Sequence, residues 1–260
     1  MGSTGAPDED VVTILVTGFG PFHDKFPINP SFEIVKLLPD LLPAVPGHAT
    51  SIQLILHPEP IRVAYSEVHS LIPALLSSHV AAIDLVLHIG MASGRAHYSL
   101  ERLAHRDGYS KNADVDGKRL PPDSGAVEFP DCKHNLITSL EYDEVLAGWR
   151  RNLCEPGSDS PLVPTEESND PGHYLCDYIY FNSLAWYARR KQQGVDTAAA
   201  TATSEDRVED RPVLFLHVPG ESDPLTLRKG VVATTALLRS MADSWSVSKR
   251  YQETIRLPPS

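Results

Sequence analysis

Four short apolar runs constrain this chain more than any other feature: VVTILV (Val11 to Val16), SIQLILH (Ser51 to His57), IDLVLHIG (Ile83 to Gly90) and VLFLHV (Val213 to Val218). Each has the length of a strand, and the first is apolar almost throughout, as a strand buried on both faces of a parallel sheet must be. The stretches between them show a helical period. In NPSFEIVKLLPD, Ile34, Leu37 and Leu38 share a face and Pro30 suits a first helical turn. In EPIRVAYSEVHSLIPALLSS the apolar positions are Ile61, Ala64, Val68, Leu71 and Leu75, with Pro73 expected to bend or shorten the helix. A last helix is expected from about Leu225 to Ala242. Strands alternating with helices predict an α/β fold with a largely parallel sheet covered on both faces, and ligands in such sheets collect at the carboxyl ends of the strands.

A chain of 260 residues has room for one such core. The expected domain spans 11–245, after a disordered lead over 1–10 and before a tail over 246–260. QQGVDTAAATATSEDRVEDR is low in complexity and acidic at its end, so 192–211 reads as a mobile surface insertion. Lys111 to Asp131 mixes Gly, Pro, Asp and Lys and reads as a long excursion. The net charge of -11 argues against a general binder of nucleic acid or anionic membrane. No stretch approaches the length of a membrane span, and the first ten residues carry neither the basic nor the apolar part of a secretory signal. Three cysteines are too few and too scattered for a disulfide framework. The expectation is a cytoplasmic chain with reduced thiols, whose partner is a small ligand or a peptide.

The turn after the first strand, TGFGPF, raises the question of a phosphate loop. A dinucleotide fingerprint needs a third glycine where His23 stands, Pro21 removes a backbone N–H, and no Walker lysine follows. What remains is a turn that calls for glycine backbone angles, with Phe19 and Phe22 at a strand end where two rings could line an apolar pocket.

Among the cysteines, Cys132 in PDCKHN lacks a second pair at zinc spacing, so no metal site is expected, and Cys154 in RRNLCEPG has no base near it in sequence. Cys176 lies in ESNDPGHYLCDYIYFNSLAWYARR, where NDPG signals a helix start and Tyr178, Phe181, Leu184 and Ala185 recur with helical period. That places it in or just before a first helical turn, where free N–H groups and the helix dipole favour a thiolate. The position also suits a buried core cysteine. A thiolate nucleophile needs a proton donor for its leaving group. Two histidines lie on apolar strands, His88 in LVLHIG and His217 in LFLHVP, and spacing does not choose between them. Glu101, in SGRAHYSLERLAHRDGY, either orients an imidazole as the third member of a triad or makes a local pair with Arg95 or Arg102.

Taken together, these stretches resemble the pyroglutamyl peptidase I family of cysteine peptidases, also called pyrrolidone-carboxylate peptidases. VTGFGPF followed by INPS is similar to the family's opening signature, HIGMASGR with YSLER to its glutamate segment, DPGHYLCDYIYFNSL to its cysteine segment and FLHVP to its histidine segment. The four occur in the family's order across most of the chain. The resemblance implies a single α/β/α domain, with Cys176 as nucleophile, His217 as general acid/base and Glu101 orienting the imidazole. It implies that Phe19 and Phe22 flank the lactam ring of an N-terminal pyroglutamate, in a pocket completed by backbone around Gly90 and Met91 and by Leu175. The expected activity is hydrolysis of the amide bond after that residue through a thioester, on peptide substrates, with no metal or organic cofactor. The alternative on the same fold is a lactam-binding protein without turnover.

The chain also departs from the family. Bacterial members carry Gln where Met91 stands, and their arginine after the glutamate has only Lys111 near its position. PLVPTEES, expected to give the strand before the cysteine, is unusually polar. Animal-type members imply a monomer and bacterial ones a tetramer, which leaves subunit association open.

Overall fold

A computed structural model describes residues 11–22, 26–154, 161–192 and 211–256. The expected lead over 1–10 and nearly all of the expected insertion over 192–211 lie outside the described residues. In chain order the elements are β1 (Val11–Gly18), α1 (Pro30–Leu37), β2 (Leu41–Leu42), β3 (Ser51–Leu56), α2 (Tyr65–His79), β4 (Leu85–Met91), β5 (Tyr98–Glu101), β6 (Leu103–His105), α3 (Ser124–Glu128), β7 (Asn135–Ile137), α4 (Tyr142–Asn152), β8 (Thr165–Ser168), α5 (Leu175–Gln192), β9 (Val213–Val218) and α6 (Pro224–Arg256).

Seven strands form one sheet in the order β2-β3-β1-β4-β9-β5-β8. The centre, β3-β1-β4-β9, is parallel, as the apolar runs predict. Polarity changes at β5, which runs antiparallel to β9 and parallel to β8. The sequence does not announce β5. β8 realises the polar strand expected before the cysteine. It lies at the sheet's edge, where Glu166 and Glu167 reach solvent and charge discourages further strand pairing.

Side chains on successive residues of the central strands point to opposite faces, and each face has its own core. Ile14, Val16, Leu87, Ile89, Leu214 and Leu216 face α1, α4 and α6, where Trp149 is fully buried. Leu15, Val86, Val213 and Phe215 face α2 and α5. No helix among the described residues is long and apolar enough to cross a membrane.

Three differences from the sequence reading have physical causes. Ile61 and Ala64 precede α2, Ala64 being its cap in extended conformation, and Pro73 sits inside the helix without ending it. The last helix, expected to stop near Ala242 and give way to a tail at 246, continues to Arg256, because its polar final turns hold no breaker. The glycines of TGFGPF are not in left-handed backbone. A Cβ on Gly18 would stand 2.7 Å from Phe32 Cα and 2.9 Å from the Ser31 carbonyl carbon, so Gly18 serves the close approach of α1 to β1.

Candidate active site

The carboxyl end of β1 shows first why TGFGPF is not an anion cradle. Asn29 caps α1, its Oδ1 accepting from Ser31 N–H at 3.1 Å and from Ser31 Oγ at 2.8 Å, while its Nδ2 donates to the Gly20 carbonyl at 2.8 Å. Pro30 at the first helical position has no N–H, and Phe19 N–H donates to Ser31 Oγ at 3.0 Å. The donors a phosphate would use are spent within the turn. Phe19 is left buried under it, with Phe22 half-buried and stacked on Phe26 at 5.5 Å.

The antiparallel pairing of β5 with β9 sets Ser99 opposite His217 and Glu101 opposite Phe215. His217 and Glu101 are therefore diagonal neighbours on one face, within reach of long side chains. Glu101 Oε1 accepts from His217 Nδ1 at 2.7 Å, which leaves Nε2 for other chemistry. The same oxygen accepts from Arg95 Nη1 at 2.7 Å. Arg102 turns away to Asp143 and Glu167. The two sequence readings of Glu101, imidazole partner and local pair with Arg95, hold at once, and the carboxylate is fully buried rather than solvated. Burial, the strongest influence, pushes its carboxyl up, but the bond and charge of His217, with smaller help from Ser168 and Arg95, hold it below its ordinary value.

In the parallel ladder, Gly90 of β4 lies opposite His217. A Cβ on Gly90 would stand 2.7 Å from Cys176 Sγ and 2.6 Å from Phe215 Cζ. The sulfur thus fills the space that a side chain at Gly90 would occupy, on the strand position that pairs with His217. Among the described residues no hydrogen bond joins Sγ to His217, and such catalytic bonds commonly form only once substrate is bound.

Cys176 is the second residue of α5, as NDPG predicts. Gly172 and His173, at φ 97° and 45°, turn the chain into the helix. Against the expected thiolate, burial pushes the Cys176 thiol well up, the charges of Glu101 and Asp177 add to this, and Arg95 works against it.

His88 does different work. Its Nδ1 bonds Thr17 Oγ1 at 2.7 Å and its Nε2 bonds Ser183 Oγ at 2.8 Å, linking β1, β4 and α5 through a fully buried ring. Burial lowers its pKa to about 3, so it is a neutral strut with both nitrogens engaged. Cys132 and Cys154 are free thiols away from this cluster, Cys132 buried with its thiol pushed up by desolvation.

A narrow cleft opens over the sulfur. It brings together Phe19, Phe22, Met91 and Leu175 with Cys176, and adds Asn29, Val63 and Tyr174, which the sequence reading did not single out. Asn29 had left a signal, a cap residue directly before the Pro-Ser of INPS. Val63 had none, since it lies in the connection between β3 and α2. A larger groove, about 460 Å³, lies elsewhere, between α2 and α5 around His69, Phe129 and Trp186, and holds none of these residues.

Among the described residues one group of side chains is close enough to grasp a cation: His105, His173 and Asp177, with ligand atoms within 4.8 Å of one another. Here their hydrogen bonds are already made. Asp177 accepts from His105 N–H and Nδ1 at 2.8 Å each, and His173 Nδ1 donates to the Asp107 carbonyl at 3.0 Å. The cluster pins the start of α5 to β6.

Residues 12–197 match the profile of the pyroglutamyl peptidase family. The human pyroglutamyl-peptidase 1 is 32% identical over 171 residues, covering 66% of this chain and 72% of that protein. The pyrrolidone-carboxylate peptidase of Erwinia tasmaniensis is 28% identical over 94% of this chain and 96% of its own length. A mutant pyrrolidone carboxyl peptidase from the hyperthermophile Pyrococcus furiosus superimposes with a TM-score of 0.64, covering 90% of this chain and all of that one, at 18% identity that speaks for the fold alone. With a matched profile over most of its length and the same mixed α/β architecture, the chain belongs to the pyroglutamyl peptidase family.

Proposed function

We propose that the protein is a cysteine omega-peptidase that hydrolyses the amide bond following an N-terminal pyroglutamyl residue of peptides. The observation that carries the reading is the convergence of Cys176 Sγ, seated on Gly90, with the His217–Glu101 pair at 2.7 Å under an aromatic cleft.

Cys176 Sγ–H passes its proton to His217 Nε2 as sulfur attacks the pyroglutamyl carbonyl carbon. Glu101 holds the Nδ1 proton and stabilises the imidazolium that forms. The first-turn N–H groups of α5 have no helical acceptor and face the developing oxyanion, each such donor contributing roughly 3–4 kcal/mol. The tetrahedral species collapses with cleavage of the C–N bond, and His217 returns the proton to the departing amine. Water then attacks the thioester, His217 takes its proton, and pyroglutamate leaves with the thiol restored.

Selectivity follows from charge. Phe19, Phe22 and Met91 offer an apolar slot to the uncharged lactam, whereas an ordinary N-terminus would bury an ammonium at a cost of several kcal/mol.

A pyroglutamyl-coupled fluorogenic amide tests the proposal. We expect thiol-dependent release that falls by more than about 10³-fold in Cys176→Ser. Full activity in that variant, or none in the parent chain, sinks the reading. Calorimetric binding of 5-oxoproline without hydrolysis would turn it toward a lactam-binding protein.

A further inference from the structure

The connection from β4 to β5 carries one residue that touches three parts of this centre. Arg95 Nη1 donates to Glu101 Oε1 at 2.7 Å, the oxygen shared with His217. Its Nη2 donates to the Asp170 carbonyl at 2.9 Å. Asp170 in turn shapes the entry to α5, since its Oδ1 accepts from Gly172 N–H at 2.9 Å, just before the left-handed pair Gly172 and His173. Arg95 is itself tied back, its N–H donating to the Ala92 carbonyl at 2.9 Å in the turn that follows Met91.

We propose that Arg95 is a positioning residue that clamps the carboxylate orienting His217, the loop leading to the nucleophile, and the turn bearing Met91 into one unit. The proposal rests on the reading of Cys176, His217 and Glu101 given above.

The chemistry explains why a permanent cation belongs there. His217 must gain and lose a proton twice in each cycle, so it neutralises Glu101 for only part of the cycle. A guanidinium does not titrate in the working range and keeps the carboxylate ionised when the imidazole is neutral. The tautomer with Nδ1–H toward Glu101 and Nε2 free then persists. The other groups around the carboxylate among the described residues are His217 on β9, Ser168 on β8, Cys176 and Tyr180 on α5, Tyr142 on α4 and His105 on β6, and none of them carries a fixed positive charge. For the thiol, Glu101 and Asp177 oppose ionisation and Arg95 favours it.

The test compares the full chain with Arg95→Gln and Arg95→Lys. Its first readout is the rate at which iodoacetamide alkylates Cys176 as a function of pH, resolved from Cys132 and Cys154 by peptide mass mapping. We expect Arg95→Gln to move the acid limb of that profile up by about one pH unit, a roughly tenfold slower reaction on the limb. Its kcat on the pyroglutamyl amide should fall about 10- to 100-fold with KM changed less than about twofold, as for a lost alignment. Arg95→Lys should restore the limb, by charge, without restoring kcat, because it cannot hold both acceptors. An unmoved limb in Arg95→Gln overturns the proposal, whether kcat is unchanged or falls together with thermal stability. If the parent chain does not cleave the amide, the peptidase reading fails, while the alkylation profiles still decide the role of Arg95.

Discussion

The two faces of the sheet each bury a hydrophobic core and do it differently. Under α1, α4 and α6 the strands present Val, Ile and Leu together with Tyr98 of β5. Under α2 and α5 the same strands present Leu15, Val86 and Phe215 in their lower parts, then Thr17, His88, Ser99, Glu101 and His217 toward the carboxyl ends. One face is a core alone, and the other is a core that becomes a polar chamber beneath α5. The first face shows what the fold needs in order to stand. The second shows what it carries besides, with Cys176 and Ser183 on one helix facing His217 and His88 on neighbouring strands.

If the division is real, damage to the first face should cost stability and spare chemistry. Trp149 is fully buried there, and its Nε1 donates to the Ala233 carbonyl at 2.8 Å, joining α4 to α6. Trp149→Ala should lower the unfolding free energy by about 3–5 kcal/mol, read by denaturant titration, with kcat/KM per folded molecule unchanged. A loss of kcat/KM would show the faces to be coupled and break the comparison.

Acid should strike the second face first. His88 has a folded pKa of about 3, lowered by burial, against an ordinary value of 6.5. Its neutral form is the one that fits, so its contribution is intact above the unfolded value and is lost as pH falls from 6.5 toward 3. Between pH 7 and pH 4 the loss amounts to about 3 kcal/mol. His88→Gln, which keeps polar atoms for Thr17 and Ser183, should be less stable than the parent at pH 7 and lose less on acidification. Parallel pH curves for the two proteins would refute the assignment. Glu101 acts in the same sense, its lowered pKa stabilising the fold above the unfolded value and that gain vanishing in acid.

The chamber is also less tolerant of volume than of polarity. Gly90→Ala would set a Cβ 2.7 Å from Cys176 Sγ and 2.6 Å from Phe215 Cζ, distances that force the helix start or the ring to move. We expect kcat/KM to fall about 100-fold, near 2.7 kcal/mol, with a smaller change in thermal midpoint. Wild-type kinetics in Gly90→Ala would mean that the sulfur does not sit against β4 in the working enzyme.

How much of this was legible in the sequence differs between the faces for the same reason. β1, β3, β4 and β9 announce themselves because strands buried on both sides are apolar runs, and Val213 to Val218 matches β9 residue for residue. β5 stays hidden: YSLE is four residues long with Ser99 and Glu101 at alternate positions, a pattern that reads as half-exposed although both are fully buried. Burying polar residues for chemistry erases the periodic signal by which strands are recognised. The place of Cys176 was legible from NDPG. The choice between His88 and His217 was legible through the family resemblance alone, since both lie on apolar runs. Register separates them: Gly90, bare, lies opposite His217, while His88 lies opposite Phe215 and meets Thr17 and Ser183.

The smallest expected effect tests the rim of the chamber, where the comparison turns from folding to recognition. Phe19 is buried and belongs to the core as much as to the cleft, so its removal would confound the two. Phe22 is half-buried, stacks on Phe26 with ring planes 16° apart and lies 6.4 Å from Tyr174 across the cleft, so it contributes little to the core. A lactam held against its ring makes the same contact in the ground state and in the transition state, and such contacts act on KM alone. Phe22→Ala should raise KM for a pyroglutamyl amide about tenfold, near 1.4 kcal/mol, and leave kcat and thermal midpoint close to the parent values. An unchanged kcat/KM would remove Phe22 from the binding slot. A fall in kcat instead would mean that the ring helps to align the reacting carbonyl, and the boundary between recognition and chemistry would then run deeper into TGFGPF than the burial of its side chains indicates.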